Sequence, residues 1–380
     1  MDNSLTMRMM HYMQNYDVAY TYVHNTGETQ IITDPNGKVC RFCGRRYPDV
    51  KFRKKAHAVS ELMGNKEFVL RNECDTCNEE FGNLLEDELS KYMGLSRTIS
   101  QIHGKNGVPT YRSKDKKKRI EFDPELGILI KVCKDCVSGA TMEQSDGIDD
   151  SGFTETVGNT MIIHAVRDTY TPLAVYKSFV KMALSLLPYE YMPNFLDTTA
   201  WIKEHSHVLT RFHDLRQYGI MLERFIPGVP YIPMRATGFI RRNDTILLPY
   251  YIFYLEFANF SYQISVPCPA KDMRLKKMEL VPVPSLDEQI GLLEWCRLHE
   301  QGQQPDFETF ESEHIRKFGK SEITVKDLRS TDKTVDEPLV LAVHFDTIEG
   351  GKAPPGTTVE DYIEAERAKI REGKNNKAII

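Results

Sequence analysis

The sequence predicts an α+β protein with a small N-terminal zinc domain and a larger mixed α+β C-terminal domain. Three features indicate this class. Two Cys-x-x-Cys pairs lie within residues 40–77, an apolar stripe of helical period runs through residues 172–187, and segments rich in aromatic and β-branched residues occupy residues 231–268. Helical and strand patterns thus occur together in the C-terminal part.

Length and composition indicate an ordinary globular protein. The chain has 380 residues, 41% of them hydrophobic and 27% charged, which suits two or three domains. No apolar run approaches the ~20 residues of a membrane span, and the N-terminus does not resemble a signal peptide. Six of the eight cysteines form Cys-x-x-Cys pairs. This usage favours metal over disulfides and predicts a cytoplasmic protein without a membrane partner.

Composition also suggests the domain limits. Residues 1–137 are predicted to form the zinc domain with a basic arm, and residues 138–160, rich in Gly, Ser, Asp and Thr, a linker. Residues 161–356 are expected to form the C-terminal domain, and residues 357–380 a charged helical tail.

The first two cysteine pairs predict one structural zinc site. Two residues between ligands let both sulfurs of a tight turn face one ion, so Cys40, Cys43, Cys74 and Cys77 fit a tetrahedral Zn²⁺. A closed four-cysteine site has no open position for water, so this zinc is not expected to be the catalyst.

The segment between the pairs is predicted to form two strands before a helix. Residues 50–58 alternate with period two, which places His57 on the same face as two basic side chains. Residues 66–73 are the candidate second strand, and Asn78 is expected to begin the helix.

This stretch resembles the HNH endonucleases in which a four-cysteine zinc site holds a treble-clef-like ββα-metal motif. The matching segments are C-R-F-C-G, K-K-A-H-A-V-S-E-L-M-G-N and C-D-T-C-N-E-E-F-G, and the resemblance covers roughly the first third of the chain. It implies a hydrolase that cleaves phosphodiester bonds with a structural Zn²⁺ and a catalytic Mg²⁺ or Mn²⁺.

The resemblance also implies roles for individual residues. His57 would be the general base, and Asn78 would help to hold the catalytic ion. Many HNH enzymes carry an acidic residue or histidine directly before the base, where this chain has Ala56. Glu61 or Glu86 is expected to replace that ligand.

The middle asparagine of the motif has two candidates, Asn72 and Asn65, because spacing does not decide between them. Asn72 is preferred as the catalytic-site residue, since it ends the second strand, where its amide would orient the histidine loop.

The charge distribution suits nucleic acid as the partner of the N-terminal part, but an excess of five charges is also ordinary variation and decides nothing alone. Residues 1–120 hold 20 Lys and Arg against 15 Asp and Glu, in a chain whose net charge is −5. Phosphate contacts do not separate DNA from RNA, so RNA is not excluded as the substrate. DNA is the expected substrate, and little sequence specificity is expected because no base-reading helix is recognisable. The basic run at 105–119 fits a solvated loop as well as a phosphate-binding arm. The candidate nucleic-acid-binding residues are Arg45, Arg46, Lys51, Arg53, Lys55, Lys116, Lys117 and Lys118.

Two further motifs are weaker. Cys133 and Cys136 form a third Cys-x-x-Cys without a partner pair, which favours a structural pair over a second metal site. His205, His207 and His213 lack a well-placed carboxylate, so surface histidines are favoured over a metal site.

The function expected from the sequence is a metal-dependent HNH endonuclease. By fold-level analogy it resembles antiphage-defence effectors, in which an added domain binds a partner protein or a signalling ligand. The oligomeric state is left open. The alternative is a non-catalytic, zinc-dependent nucleic-acid-binding or scaffold protein with a decayed metal site, which Ala56 supports.

Overall fold

A computed structural model of the chain shows a mixed α+β protein, as predicted. Its contacts divide the chain into two compact units, each built from two chain segments: Met1–Ser90 with Tyr170–Thr334, and Lys91–Thr169 with Val335–Ile380. The domain limits expected from the sequence stay a prediction. The structure describes residues 5–24, 27–125, 127–132, 153–157, 160–205, 218–226, 233–275, 280–300 and 322–344.

The first unit contains a six-stranded antiparallel sheet in the order β1-β10-β11-β12-β9-β13. The N-terminal strand pairs with β10 from Tyr16 opposite Arg241 to His24 opposite Met234, so it belongs to the sheet predicted for the C-terminal part. Every residue of the central strands β11 and β12 is buried. The strands are β1 (Tyr16–His24), β9 (Ile220–Phe225), β10 (Met234–Arg241), β11 (Tyr251–Phe257), β12 (Phe260–Val266) and β13 (Glu322–Asp327).

The first unit also contains helices. The apolar stripe at 172–187 forms the expected core helix, of which all fifteen residues are buried and Pro172 occupies the first turn. Tyr251 of β11 donates a 2.9 Å hydrogen bond to the carbonyl of Ala183 in this helix. The helices are α1 (Leu5–Asn15), α2 (Asp75–Phe81), α3 (Asp87–Ile99, which continues into the second unit), α4 (Pro172–Leu186), α5 (Leu196–Ile202), α6 (Pro269–Asp272) and α7 (Leu286–Glu300).

The segment that carries the cysteine pairs has little regular structure. Strand β2 (Gln30–Ile32) pairs in parallel with β3 (Phe68–Leu70). The predicted strand at 50–58 is wrong: only an isolated antiparallel bridge, between His57 and Val69, occurs there.

Two hydrogen bonds to the Asp75 side chain explain why residues 50–58 do not form a strand. The backbone N–H groups of Arg53 and Lys54 donate to the Asp75 carboxylate at 2.8 and 2.9 Å instead of to a neighbouring strand. Asp75 is also where α2 begins, three residues earlier than predicted, and a π-helical turn (Gly82–Glu86) joins α2 to α3.

The second unit holds two small antiparallel sheets. Strands β4 (Tyr111–Arg112), β5 (Lys118–Asp123) and β6 (Gly127–Val132) form one, in which Asp123 of β5 pairs with Gly127 of β6. Strands β7 (Thr154–Val157), β8 (Thr160–Val166) and β14 (Pro338–His344) form the other, in the order β14-β8-β7. Ile120, Phe153, Ile163 and Leu341 lie in the shared apolar core.

Part of the predicted linker therefore lies in a sheet, since β7 falls within residues 138–160. Residues 138–152 and the tail at 357–380 lie outside the described residues. None of the described helices is long and apolar enough to cross a bilayer.

Candidate metal centre and histidine loop

The first cysteine pair lies in a tight backbone turn. Gly44 donates its N–H to the carbonyl of Cys40 at 2.9 Å, and Cys40 donates to the carbonyl of Arg45 at 2.8 Å. Gly44 has a φ of 68°, in the left-handed region that glycine adopts without steric cost. This hydrogen bonding closes the turn and leaves both Cys40 and Cys43 on its inner side, where their sulfurs belong to one cluster.

The second pair begins a helix. Cys74 is the N-cap of α2, and its sulfur accepts the N–H of Cys77 at 3.5 Å. The N–H of Cys74 in turn lies 3.4 Å from the sulfur of Cys40, so backbone donors connect the two pairs. Such N–H donors favour the thiolate form that binds a metal.

The four sulfurs form one cluster. They all lie within 4.8 Å of one another, and those of Cys43 and Cys74 are 3.8 Å apart. A tetrahedral zinc with bonds of about 2.3 Å requires sulfur separations of about 3.8 Å. Three of the four cysteines are buried. The donor set and its spacing therefore fit a structural Zn²⁺, as the sequence predicts.

The acid–base chemistry of the cluster also suits a cation. The thiol of Cys77 donates to Cys40 and lowers the pKa of Cys40 to about 4, whereas the same hydrogen bond and burial raise the pKa of Cys77. Burial raises the pKa of Cys74 to about 11. Several thiolates so close together repel each other, so protons remain on the cluster unless a cation replaces them.

His57 lies on the isolated bridge to Val69 of β3. The N–H of Ala58 donates to Phe68 at 3.0 Å, and the N–H of Leu70 donates to Ala56 at 2.9 Å. In an antiparallel pair with this pattern, the peptide groups of the central residue point away from the partner strand. The backbone N–H and carbonyl of His57 are thus directed away from β3.

The imidazole is mostly buried. Burial lowers the pKa of His57, and the carboxylates of Glu61 and Glu86 oppose this effect while Lys55 and Lys181 add to it. Its Nε2 lies 3.8 Å from a carboxylate oxygen of Glu61. The ring is therefore neutral near pH 7, and its Nδ1 is buried without a hydrogen-bond partner among the described residues.

Asn65, not Asn72, holds the histidine loop. The fully buried amide of Asn65 donates to the carbonyls of Val59 and Phe68 at 2.7 and 3.0 Å, and its oxygen accepts the N–H groups of Glu67 and Phe68. One side chain thus fastens the loop that connects His57 to β3.

The preferred candidate, Asn72, fastens the cysteine turn instead. Its amide donates to the carbonyls of Gly37 and Val39, and its oxygen accepts the N–H of Asp34 at 2.8 Å. Asn72 was preferred because it ends the second strand. That position did not identify the histidine loop, because β3 ends next to the first cysteine pair as well as next to His57.

The part of the chain that the structure describes contains no preformed site for a second ion. Among the described residues, the four cysteines are the one group of three or more His, Cys, Asp or Glu ligand atoms close enough for a metal. Glu61 opens a short 3-10 helix, Glu86 ends the π-helical turn, and Asn78 is partly exposed on α2. Ala56 is buried, so its position points into the core and offers no ligand to the site.

The basic candidates fall in both units. Arg45, Arg46, Lys51, Arg53 and Lys55 of the first unit are exposed. In the second unit, Lys116 and Lys117 lie exposed on the turn between β4 and β5, and the ammonium of Lys118 lies 4.9 Å from the ring centre of Phe153.

Of the weaker motifs, Cys133, Cys136, His207 and His213 lie outside the described residues. The side chain of His205 is mostly exposed, as expected for a surface histidine, and its Nε2 lies 3.5 Å from a carboxylate oxygen of Glu80.

Sequence reasoning missed two residues at this centre. Lys181 of α4 lies off the apolar stripe, yet its side chain is buried against Glu73, the residue before Cys74. A lysine within a largely apolar helix was the available signal, but its partner Glu73 is far away in sequence.

Searches against protein-family models, curated proteins and solved structures found no match for this chain.

Proposed function

We propose that the chain is a zinc-stabilised endonuclease of the HNH type that hydrolyses phosphodiester bonds in DNA. The observation that carries the proposal is the position of His57: a mostly buried imidazole at the end of the exposed basic segment at 51–55, on a backbone pair that leads into α2 and its cysteines. Bridge, short strand and helix follow in the ββα order of that family, although the first strand is reduced to one bridge.

His57 supplies the base. Burial lowers the pKa of its ring below the ordinary 6.5, so the neutral imidazole is available to take a proton from the attacking water. The Glu61 carboxylate, 3.8 Å from Nε2, stabilises the imidazolium that forms.

The exposed cations provide the affinity for the substrate. Lys51, Arg53 and Lys55 precede the histidine, and Asp75 holds the backbone between them through two hydrogen bonds. Neutralised phosphates are the main source of non-specific affinity for either DNA or RNA.

A catalytic Mg²⁺ or Mn²⁺ completes the proposal. Mg²⁺ is commonly held by one or two carboxylates together with waters and substrate phosphates, rather than by a protein cage. Glu61 or Glu86, with Asn78, would be the ligands from this chain, and the ion would neutralise charge on the scissile phosphate.

The direct test is cleavage of supercoiled plasmid with Mg²⁺ or Mn²⁺ by the wild-type chain, His57→Ala and His24→Ala. His24 is a matched control, because its imidazole is equally buried and lies 3.1 Å from the Glu67 carboxylate. We expect His57→Ala to lose at least about 100-fold in rate with zinc still bound, and His24→Ala to cut normally. Parallel reactions with single-stranded RNA decide the substrate. Cleavage by none of the proteins, with either nucleic acid, overturns the proposal.

The pH profile provides a second test. A base must be deprotonated to act, so kcat/KM should rise with pH through the pKa of His57 and be flat above it. Because burial lowers that pKa, the half-maximal rate is expected below pH 6.5. A midpoint above pH 7 contradicts the assignment of His57 as the base.

One observation favours a second candidate, a non-catalytic zinc-dependent protein that binds nucleic acid. The described residues hold no three-ligand site besides the cysteines, and Ala56 occupies the position of a usual ligand. DNA binding without cleavage by the wild-type chain would support it. Control by a partner or ligand at residues 161–356, and a role in antiphage defence, stay predictions.

A further inference from the structure

A charged side chain from α4 lies under the histidine loop. The Nζ atom of Lys181 is 2.9 Å from Oε2 of Glu73 and 3.1 Å from the backbone carbonyl of His57. Its ammonium also lies 5.8 Å from the ring centres of both Phe42 and Phe81. The side chain of Lys181 is 6% exposed and that of Glu73 is fully buried, so both charges are removed from water.

Such a pair does little for stability by itself. Burying two charges costs roughly as much as their attraction returns, and an apolar pair of the same volume is often as stable. The consequence of the pair is therefore geometric: an ammonium held by a carboxylate is a directional donor at one fixed point. The backbone of Glu73 is fixed in turn, because the next residue, Cys74, belongs to the four-sulfur cluster.

The ammonium of Lys181 donates to the backbone carbonyl of His57 itself. The bridge to Val69 uses the peptide groups of Ala56 and Ala58, and it directs those of His57 away from β3. Lys181 binds that outward carbonyl, so the peptide of His57 is held from both sides. Lys181 and His57 are 124 positions apart in the chain.

We propose that Lys181 is a positioning residue for His57: its ammonium, oriented by Glu73, holds the histidine backbone so that the imidazole keeps one direction. This rests on the proposed nuclease function for its effect on rate, but the contact itself belongs to the fold. It implies that the cysteine segment lacks a competent histidine without α4, although it contains all the motif residues.

The test uses full-length variants that remove the donor without leaving a charge alone. Lys181→Met keeps the volume but strands the Glu73 carboxylate, so the informative protein is the double variant Lys181→Met with Glu73→Gln. Lys177→Met is the matched control. Lys177 is also buried, one turn earlier in α4, but its Nζ donates to the carbonyl of Glu204 at 2.8 Å instead.

We expect the double variant to bind zinc as the wild type does and to lose about 10–100-fold in kcat, with KM changed by less than about threefold. Lys177→Met should keep the wild-type kcat. A double variant with wild-type kcat overturns the proposal. So does a rise in KM alone, which indicates a substrate contact, or an equal loss in Lys177→Met.

A spectroscopic readout separates this proposal from the nuclease assignment. In histidine-labelled protein, the ring signal that disappears in His57→Ala should shift in the double variant and stay in place in Lys177→Met. If the wild type cuts no nucleic acid, the proposed function fails, and this spectrum alone decides. An unchanged His57 signal in the double variant then overturns the positioning role.

Discussion

The cysteine segment and the six-stranded sheet belong to the same unit, but different interactions stabilise each of them internally. In the sheet, continuous backbone pairing joins the strands, and every residue of β11 and β12 is buried. In the segment at 40–81, the one named strand has three residues, and single side chains such as Asn65 and Asp75 complete the backbone hydrogen bonding.

The two regions should therefore be destabilised by different changes. In the sheet, stability depends on large buried side chains, so truncating one of them leaves a cavity that the packed interior fills only in part. The cysteine segment also buries apolar side chains, such as Phe42, Phe68 and Phe81, but its irregular backbone depends in addition on a metal and on individual polar groups.

Removal of zinc should have the largest effect and should separate the two regions. Structural zinc contributes about 10 kcal/mol or more to the folding of small zinc modules. A chelator should therefore release one zinc per chain and abolish amide protection between Cys40 and Phe81, while β10 to β12 remain protected. Hydrogen exchange followed by mass spectrometry measures both regions at once. Simultaneous loss of protection in the sheet would show that the two regions are not independent.

Truncation in the sheet should have the second largest effect. Phe253 is fully buried in β11, opposite Gly238 on one side and Ile264 on the other. Phe253→Ala should lower the free energy of unfolding by about 3–5 kcal/mol, because it leaves a cavity on the face of the sheet where the ring is buried. Urea denaturation measures the loss, and zinc content should stay at one per chain. A change of less than about 1 kcal/mol would contradict the burial of this ring.

The smallest effects come from the two asparagines, which sharpen the comparison within the segment. Asn65→Ala and Asn72→Ala should each cost about 2 kcal/mol, since each leaves buried backbone groups without partners. Asn65→Ala should increase exchange of the Phe68 amide and lower the cleavage rate, whereas Asn72→Ala should increase exchange at Asp34 and weaken zinc binding. Identical exchange profiles of the two variants would contradict the division of roles between them.

Residue spacing was sufficient for the metal centre and for parts of the fold. Two pairs with two intervening residues predicted the four-sulfur cluster, and an unbroken apolar stripe predicted α4. Local patterns failed where a distant or irregular partner took over a backbone group. The alternation at 50–58 is that of a strand, but the Asp75 carboxylate binds the N–H groups that a second strand would need. Spacing likewise could not choose between Asn65 and Asn72, because both flank the same short strand.

By itself the sequence determined which atoms are available: four thiolates spaced for one ion, an imidazole among cations, and the apolar stripe of a core helix. Only the tertiary structure decided that β1 joins the C-terminal sheet, and that Lys181 lies beneath His57. The physical reason is range. Ligand spacing and helical period are local properties of the chain, whereas the burial of a charge depends on a partner that folding brings from more than a hundred residues away.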